Sequence, residues 1–169
     1  MPPHLLARAM AWCLLALLLV LAFGCAAEEK PKVLKAPGEW PLIQLEALQP
    51  MVLQIPPDFV IDRKPGPDYL VFYIRPPNSD PLSVGGNLGI YTGYEPTSFC
   101  GETLMGEPVT IAGWQGKWSS CTSPDSGLHM LETFPGAPFT MKVHIFLVAD
   151  NSKLDETFRL IVSSLRPAK

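Results

Sequence analysis

Two stretches of the chain alternate apolar side chains with other residues at a period of two, which is the spacing of a β-strand. In YLVFYIR, residues 69–75, the alternation places Leu70, Phe72 and Ile74 on one face. Residues 139–149, FTMKVHIFLVA, repeat the pattern, and their opposite face becomes apolar only at Phe146 and Val148. The sequence therefore predicts a sheet with one continuous apolar face, covered on both sides near the end of the longest strand.

Proline and glycine divide the rest of the chain into short segments. The 169 residues include 19 prolines and 13 glycines, which is typical of many turns between short strands. The turn formed by residues 113–116 predicts a hairpin between its two flanking strands, and a second turn is predicted at residues 123–127. The further predicted strands are residues 51–55, 88–91, 107–112, 117–121 and 128–134.

One helix is predicted near the end of the sequence, beginning at Ser152 and ending before Pro167. Ser152 and Asp155 form an S-x-x-D start. The apolar residues of this segment recur at helical spacing and form one stripe, made of Leu154, Phe158, Ile161, Val162 and Leu165. The predicted fold class is therefore α+β: a mostly antiparallel sheet of about six strands, with the C-terminal helix packed on one face.

Two segments of this pattern resemble a known superfamily. IPPDF after a first strand, at residues 55–59, and the helix ending FRLIVSSLRP, at residues 158–167, are similar to the PsbP-like α+β superfamily. The resemblance spans roughly residues 51–167. It implies an accessory, assembly or binding role, and many exported members are lipoproteins of unknown role. The resemblance supplies no catalytic motif.

The N-terminal segment has the order of an export signal. Arg8 precedes an apolar stretch at residues 9–23, and small residues follow. Residues 21–25, LAFGC, resemble the lipobox of bacterial lipoproteins, in which the cysteine becomes the first mature residue and carries fatty acyl chains. The resemblance implies that Cys25 is lipidated, and two or more acyl chains would hold the protein stably at a membrane.

This interpretation predicts three segments: a signal peptide at 1–24, a flexible tether at 25–41, and one domain at 42–169. Because Ala26 follows the cysteine and no aspartate suggests inner-membrane retention, the signal resembles that of outer-membrane lipoproteins facing the periplasm. Two alternatives remain open at this point. One is a plain secretory signal cut after Gly24 or Ala27, and the other is an uncleaved anchor.

The remaining cysteines predict a disulfide. Cys13 lies in the predicted signal and Cys25 is assigned to lipid, which leaves Cys100 and Cys121 in an exported chain. A bridge between them would stabilise the fold by roughly 3 kcal/mol on the chain-entropy model. A redox pair is the weaker interpretation because no C-x-x-C motif is present, and two buried reduced cysteines are a third.

The sequence contains no motif for catalysis, metal binding or a cofactor, so no catalytic residue, metal ligand or cofactor is predicted. His129 and His144 lie on predicted strands and are expected to face solvent, with the neighbouring methionines in the core. Acidic residues in proline-rich loops, such as Asp58, Asp62 and Asp68, are expected to be solvated. A copper site at the histidines and methionines, and a hydrolase whose residues converge only in three dimensions, are the alternatives.

The charge balance and the aromatic residues bear on partners. Loss of Arg8 with the signal leaves 12 basic against 16 acidic side chains, a balance that predicts no nucleic-acid partner. Tyr69, Tyr73 and Tyr91 are expected to share a sheet face, while Trp114 and Trp118 flank the predicted hairpin tip. Such aromatics suit an envelope protein, peptide, lipid or glycan partner, although cross-strand core packing would also explain them. The expected function is a non-enzymatic binding or accessory module, attached to the bacterial envelope membrane through its lipid.

Overall fold

The structure is a computed structural model, and it describes residues 38–79, 85–101, 106–122 and 128–169. The predicted signal peptide, Cys25 and all but the last residues of the predicted tether lie outside this part of the chain. The proposed domain boundary at residue 42 therefore stays a prediction.

Strands dominate the described residues. Eleven strands and one helix follow one another there, as β1 (Leu42–Leu45), β2 (Met51–Gln54), β3 (Val60–Pro65), β4 (Tyr69–Arg75), β5 (Asn87–Gly93), β6 (Pro108–Ile111), β7 (Trp114–Lys117), β8 (Ser119–Thr122), β9 (His129–Thr133), β10 (Lys142–Val148), α1 (Ser152–Ser164) and β11 (Arg166–Pro167). No helix in this part of the chain is long and apolar enough to cross a membrane.

The predicted α+β class is wrong. Strands account for 46% of the described residues and the helix for 11%, so the protein is mainly β. The strands also form several sheets instead of a single sheet of about six strands. The sequence pattern missed strands such as β3, because its residues Asp62 to Pro65 have the composition of a turn. An edge strand tolerates such residues, since one side of it needs no hydrogen-bond partner.

Three antiparallel sheets make up the described structure. The largest, called here the central sheet, has the order β3-β4-β5-β10-β9-β8. A three-stranded sheet has the order β1-β2-β11, and β6 pairs with β7 alone.

The predicted hairpin has a different tip and a different partner. Its turn consists of Ala112 and Gly113, both with positive φ (53° and 85°), so that Trp114 already pairs with Ile111. Two residues with positive φ form the tight turn that matches the twist of a two-stranded ribbon. The predicted tip residues Trp114 to Gly116 therefore lie in β7, and residues 119–122 pair with β9 instead.

The core lies on one side of the central sheet, called here the inner face. Alternate residues of β4, β5, β9 and β10 are buried there in one cluster with the helix and with residues of β2 and β6. The helix contributes Phe158, Ile161 and Val162, all fully buried. The helix begins at Ser152, as predicted, and its N-cap is Asn151, the residue before the predicted S-x-x-D signal. The Asn151 Oδ1 accepts the Leu154 N–H at 2.9 Å.

Candidate binding surface

The other side of the central sheet, called here the outer face, is lined by aromatic side chains. Strand pairing puts Val71, Tyr91 and His144 in one row across β4, β5 and β10. The next row contains Tyr73, Gly89, Phe146 and Glu132. None of these residues belongs to the buried cluster of the inner face. The prediction that Tyr69, Tyr73 and Tyr91 share a sheet face is confirmed.

Two glycines in β5 allow the aromatic rings to lie close to the backbone. A side chain on Gly89 would overlap the ring of Phe146, and one on Gly93 would come within 2.5 Å of the Tyr91 hydroxyl oxygen. Both glycines are on the outer face, where a ring can cover the backbone that a glycine leaves bare. The rings of Phe146 and Tyr91 therefore lie directly against the backbone of β5.

One part of this surface is a tyrosine pair. The rings of Tyr69 and Tyr91 are stacked, with centroids 5.4 Å apart and planes at 22°. Tyr69 is 38% exposed, and Tyr94, which follows the end of β5, is 64% exposed. Burial raises the pKa of the Tyr91 hydroxyl, and the nearby carboxylates of Asp68 and Glu95 raise it further, against a lowering by the Glu95 backbone N–H. The Tyr91 phenol is therefore neutral near pH 7.

A second part is a cluster of rings around His144. Phe134 stacks on the imidazole, with centroids 4.3 Å apart and planes at 8°. The ring centroid of Phe99 lies 5.2 Å from those of both His144 and Phe146. Phe146 packs edge-on against Tyr73, with ring centroids 6.1 Å apart. Phe99 and Phe134 remain 52% and 38% exposed. The cluster thus presents two accessible phenyl rings above a buried histidine.

Below this cluster, the buried carboxylate of Glu132 collects four hydrogen bonds. His144 Nε2 lies 2.8 Å from Oε2, and the Ser98 hydroxyl donates to Oε1 at 2.5 Å. The backbone N–H groups of Phe99 and Cys100 each donate at 2.9 Å. Burial raises the pKa of Glu132, but these hydrogen bonds outweigh it and lower the pKa from 4.5 to about 2. Glu132 is therefore ionised, and it fixes the segment 98–100 on the outer face.

The same segment is held by a covalent bond. The predicted disulfide between Cys100 and Cys121 is present, with the two Cα atoms 5.2 Å apart. Cys121 lies in β8, the edge strand next to β9, which carries Glu132. The bridge and the carboxylate together position Phe99 over His144.

The contacts of Ser98, His144 and Glu132 differ from those of a serine–histidine–carboxylate triad. Ser98, His144 and Glu132 are residue types of hydrolytic sites, but the Ser98 hydroxyl donates to the carboxylate and the imidazole is bonded to the same group. A serine nucleophile needs its hydroxyl to donate to the general base. The contacts of Ser98 thus serve to hold the loop.

Other residues singled out in the sequence lie in different places. His144 is 2% exposed, so the expectation that it faces solvent is wrong. Its packing against the rings of Phe99, Phe134 and Phe146 could not be read from alternation alone. His129 is exposed, as expected. Trp118 is buried in the core and takes no part in an exposed aromatic surface. Within the described residues, no group of three or more His, Cys, Asp or Glu side chains is arranged to hold a metal ion.

A small cavity adjoins the outer face at its Phe134 end. It has a volume of about 280 Å³, and Pro96, Phe139 and Met141 line it together with Phe134. The loop that forms one wall is fixed by Gln49, whose Oε1 accepts the N–H groups of Thr140 (2.8 Å) and Met141 (3.1 Å). The aromatic surface therefore continues into a concave edge.

No family model and no curated protein matches the chain. Among solved structures, the chain is similar to a crystal structure from Bacteroides thetaiotaomicron VPI-5482, with 17% sequence identity and a TM-score of 0.40. The match covers 70% of this chain and 45% of the other, so the chain spans less than half of that protein's length.

Proposed function

We propose that the protein is a bacterial envelope lipoprotein, anchored through Cys25, that acts as a non-enzymatic binding module. The observation that carries the binding role is the outer face of the central sheet, with its exposed rings of Tyr69, Phe99 and Phe134. Contiguous exposed aromatic side chains are typical of surfaces that bind a partner.

The anchorage is supported by the sequence around Cys25 and by the disulfide. Residues 21–25 resemble a lipobox at the end of an apolar stretch, and Ala26 is compatible with transfer to the outer membrane. Disulfides persist in the oxidising periplasm and are rare in the bacterial cytoplasm. The bridge between Cys100 and Cys121 is therefore what an exported domain is expected to carry.

The binding role is supported by how firmly the outer face is built. Glycines accommodate the rings, and a disulfide and a buried carboxylate hold the segment of Phe99 in position. A surface ordered in advance loses little conformational entropy when it binds. The partner expected at this surface is an envelope protein, a peptide or a glycan.

The anchor is tested by Cys25→Ala followed by Triton X-114 partitioning and intact-mass measurement. We expect the natural chain to enter the detergent phase with a mass increased by acyl groups, and the variant to remain aqueous. An unacylated N-terminus on the natural chain, or a processed variant that still enters the detergent phase, would contradict the anchor.

The binding surface is tested with a photo-crosslinking amino acid introduced in intact cells, at Phe99 in one strain and at Phe134 in another. The control position is Glu156, an exposed residue of α1. We expect discrete crosslinked products from the two outer-face positions and none from Glu156. Equal crosslinking from all three positions would mean that the outer face has no special role in binding.

A further inference from the structure

The tyrosine pair of the outer face lies beside two exposed carboxylates. Asp68 directly precedes Tyr69 in the turn before β4, and Glu95 directly follows Tyr94 after β5. Both carboxylates act electrostatically on the Tyr91 hydroxyl. Among the ion pairs of the described residues, neither Asp68 nor Glu95 takes part. The stacked rings of Tyr69 and Tyr91 therefore have two carboxylates beside them that form no ion pair within the described residues.

The outer face already receives a cation from its own chain. The Lys64 ammonium lies 5.2 Å from the centroid of the Tyr73 ring, within the range of a cation–π contact. Tyr73 lies four residues from Tyr69 along β4, on the same face, with Val71 between them. The tyrosine pair repeats this chemistry, but with carboxylates at its border and Tyr69 accessible to a partner.

Two basic residues of the same face lie close enough to oppose a cation. Lys64 pairs with Val71, in the row of Tyr91, and its ammonium lies over the Tyr73 ring. Lys142 pairs with Gly93 across β5 and β10, in the same row as Tyr69. It is exposed, and it is not among the groups that act on the Tyr91 hydroxyl. Lys64 is likewise not among those groups, whereas Asp68 and Glu95 both are, so the immediate surroundings of the tyrosine pair are negative.

We propose that the patch formed by Tyr69 and Tyr91, with Asp68 and Glu95, binds a lysine or arginine side chain of a basic segment in a partner protein. The rings would supply a cation–π face, and the carboxylates would supply the opposite charge and accept the N–H groups. Complementarity of charge selects this partner over a neutral glycan or an acidic lipid surface. The inference rests on the proposed binding role of the outer face and names the chemistry of its partner.

The test uses the full chain in detergent and a fluorescent, N-acetylated and C-amidated peptide that carries two arginines. The matched peptide has citrulline in place of both arginines, which keeps the shape and removes the charge. We expect the arginine peptide to bind at least about fivefold more tightly by anisotropy, as one or two exposed cation–π and charge contacts imply. Binding should weaken when NaCl is raised to about 0.5 M, because salt screens exposed charges.

Three variants locate the site. Asp68→Asn with Glu95→Gln should weaken binding of the arginine peptide about fivefold and leave the citrulline peptide unchanged. Asp58→Asn with Glu46→Gln makes the same change in net charge at exposed positions outside the patch, and should alter binding less than about twofold. Lys142→Gln should strengthen binding. An unchanged melting temperature would show that each variant is folded.

Several outcomes would overturn the inference. Equal binding of the two peptides, equal loss in the two carboxylate pairs, or preferential binding of a neutral oligosaccharide or of anionic vesicles would each do so. In any of these cases, crosslinks from Phe99 that persist in the Asp68→Asn, Glu95→Gln variant would leave the proposed binding role intact. Absence of those crosslinks in the natural chain would remove the binding role itself.

Discussion

The two faces of the central sheet are built from the same strands but have opposite chemistry. The inner face carries mostly aliphatic residues such as Ile74, Ile90 and Ile145, all fully buried against the helix and the smaller sheets. The outer face carries tyrosines, phenylalanines, a histidine and glycines, and several of its rings keep part of their surface in water. Successive residues of one strand thus serve two different purposes.

Burial alone does not define the core of this protein. Glu132 and His144 are as inaccessible as the inner-face isoleucines, yet they are buried by one loop and two phenyl rings on the outer face. Aliphatic side chains suit a dry interior because they have no polar atoms to satisfy. Tyrosine suits a half-wet surface because its hydroxyl can stay in contact with water. The inner face therefore stabilises the fold, and the outer face presents the exposed rings on which the proposed binding role rests.

The largest expected effect is on the inner face. Ile145→Ala should lower the free energy of unfolding by about 4 kcal/mol, since Ile145 is fully buried and the space cannot be refilled easily. Phe99→Ala on the outer face should cost about 1 kcal/mol or less, because half of that ring is already exposed. Urea denaturation of both variants checks this difference, and equal losses would break the distinction between the two faces.

The next effect concerns Glu132 and has a defined dependence on pH. Because its pKa is lowered from 4.5 to about 2 on folding, the ionised carboxylate stabilises the fold above pH 4.5, and this contribution is lost as the pH falls toward 2. Glu132→Gln should therefore cost about 2 to 3 kcal/mol at pH 7 and much less near pH 2. The measurement is urea denaturation of both proteins across this range. Glu156→Gln, at an exposed position, should show no such trend, and a gap independent of pH would contradict the role of the charge.

A smaller effect is expected from the glycine beneath Phe146. Gly89→Ala should destabilise the protein by about 1 to 2 kcal/mol, because the new methyl group displaces the Phe146 ring. The matched control is Gly136→Ala, since a side chain there would meet no atom within 4 Å. Thermal denaturation compares the two variants, with tyrosine and phenylalanine ring signals in NMR as a second readout. If Gly89→Ala left the melting temperature unchanged, the packing of the Phe146 ring would not require a glycine at this position.

The smallest effect has the opposite sign. Thr92 lies on the inner face between Leu70 and Val143, and its buried hydroxyl oxygen has no hydrogen-bond partner. Thr92→Val keeps the shape and removes this hydroxyl, so it should stabilise the protein by about 1 kcal/mol. Thr110→Val changes an exposed hydroxyl that contacts Gln115 and should be close to neutral. A loss of stability in Thr92→Val would mean that the buried hydroxyl of Thr92 does not destabilise the inner face.

Part of the fold could be predicted because it depends on local sequence. The alternation of residues 69–75 corresponds to β4 residue for residue, and the apolar stripe after Ser152 is the buried face of α1. A strand at the centre of a sheet and a helix on a core both show their periodicity, because one side of each must be apolar. Strands β3 and β7 show no such periodicity, since they lie at an edge or in a two-stranded hairpin and bury little.

The candidate site was only partly visible in the sequence for a related reason. The shared face of Tyr69, Tyr73 and Tyr91 follows from their spacing along two strands. The contact of Glu132 with His144 requires that β9 and β10 pair in one particular register, and the contacts with Ser98 and Phe99 require a loop more than thirty residues away to fold back. No local pattern encodes these contacts.

Local sequence was enough to identify most of the strands and the helix, the two cysteines that could pair, and the lipobox-like stretch that ends at Cys25. Only the tertiary structure decided that the strands divide among three sheets, that His144 is buried, and that the aromatic rings lie together on the face opposite the helix. The physical reason is range: periodicity acts between residues a few positions apart, whereas strand register and loop closure join residues that are distant in the chain.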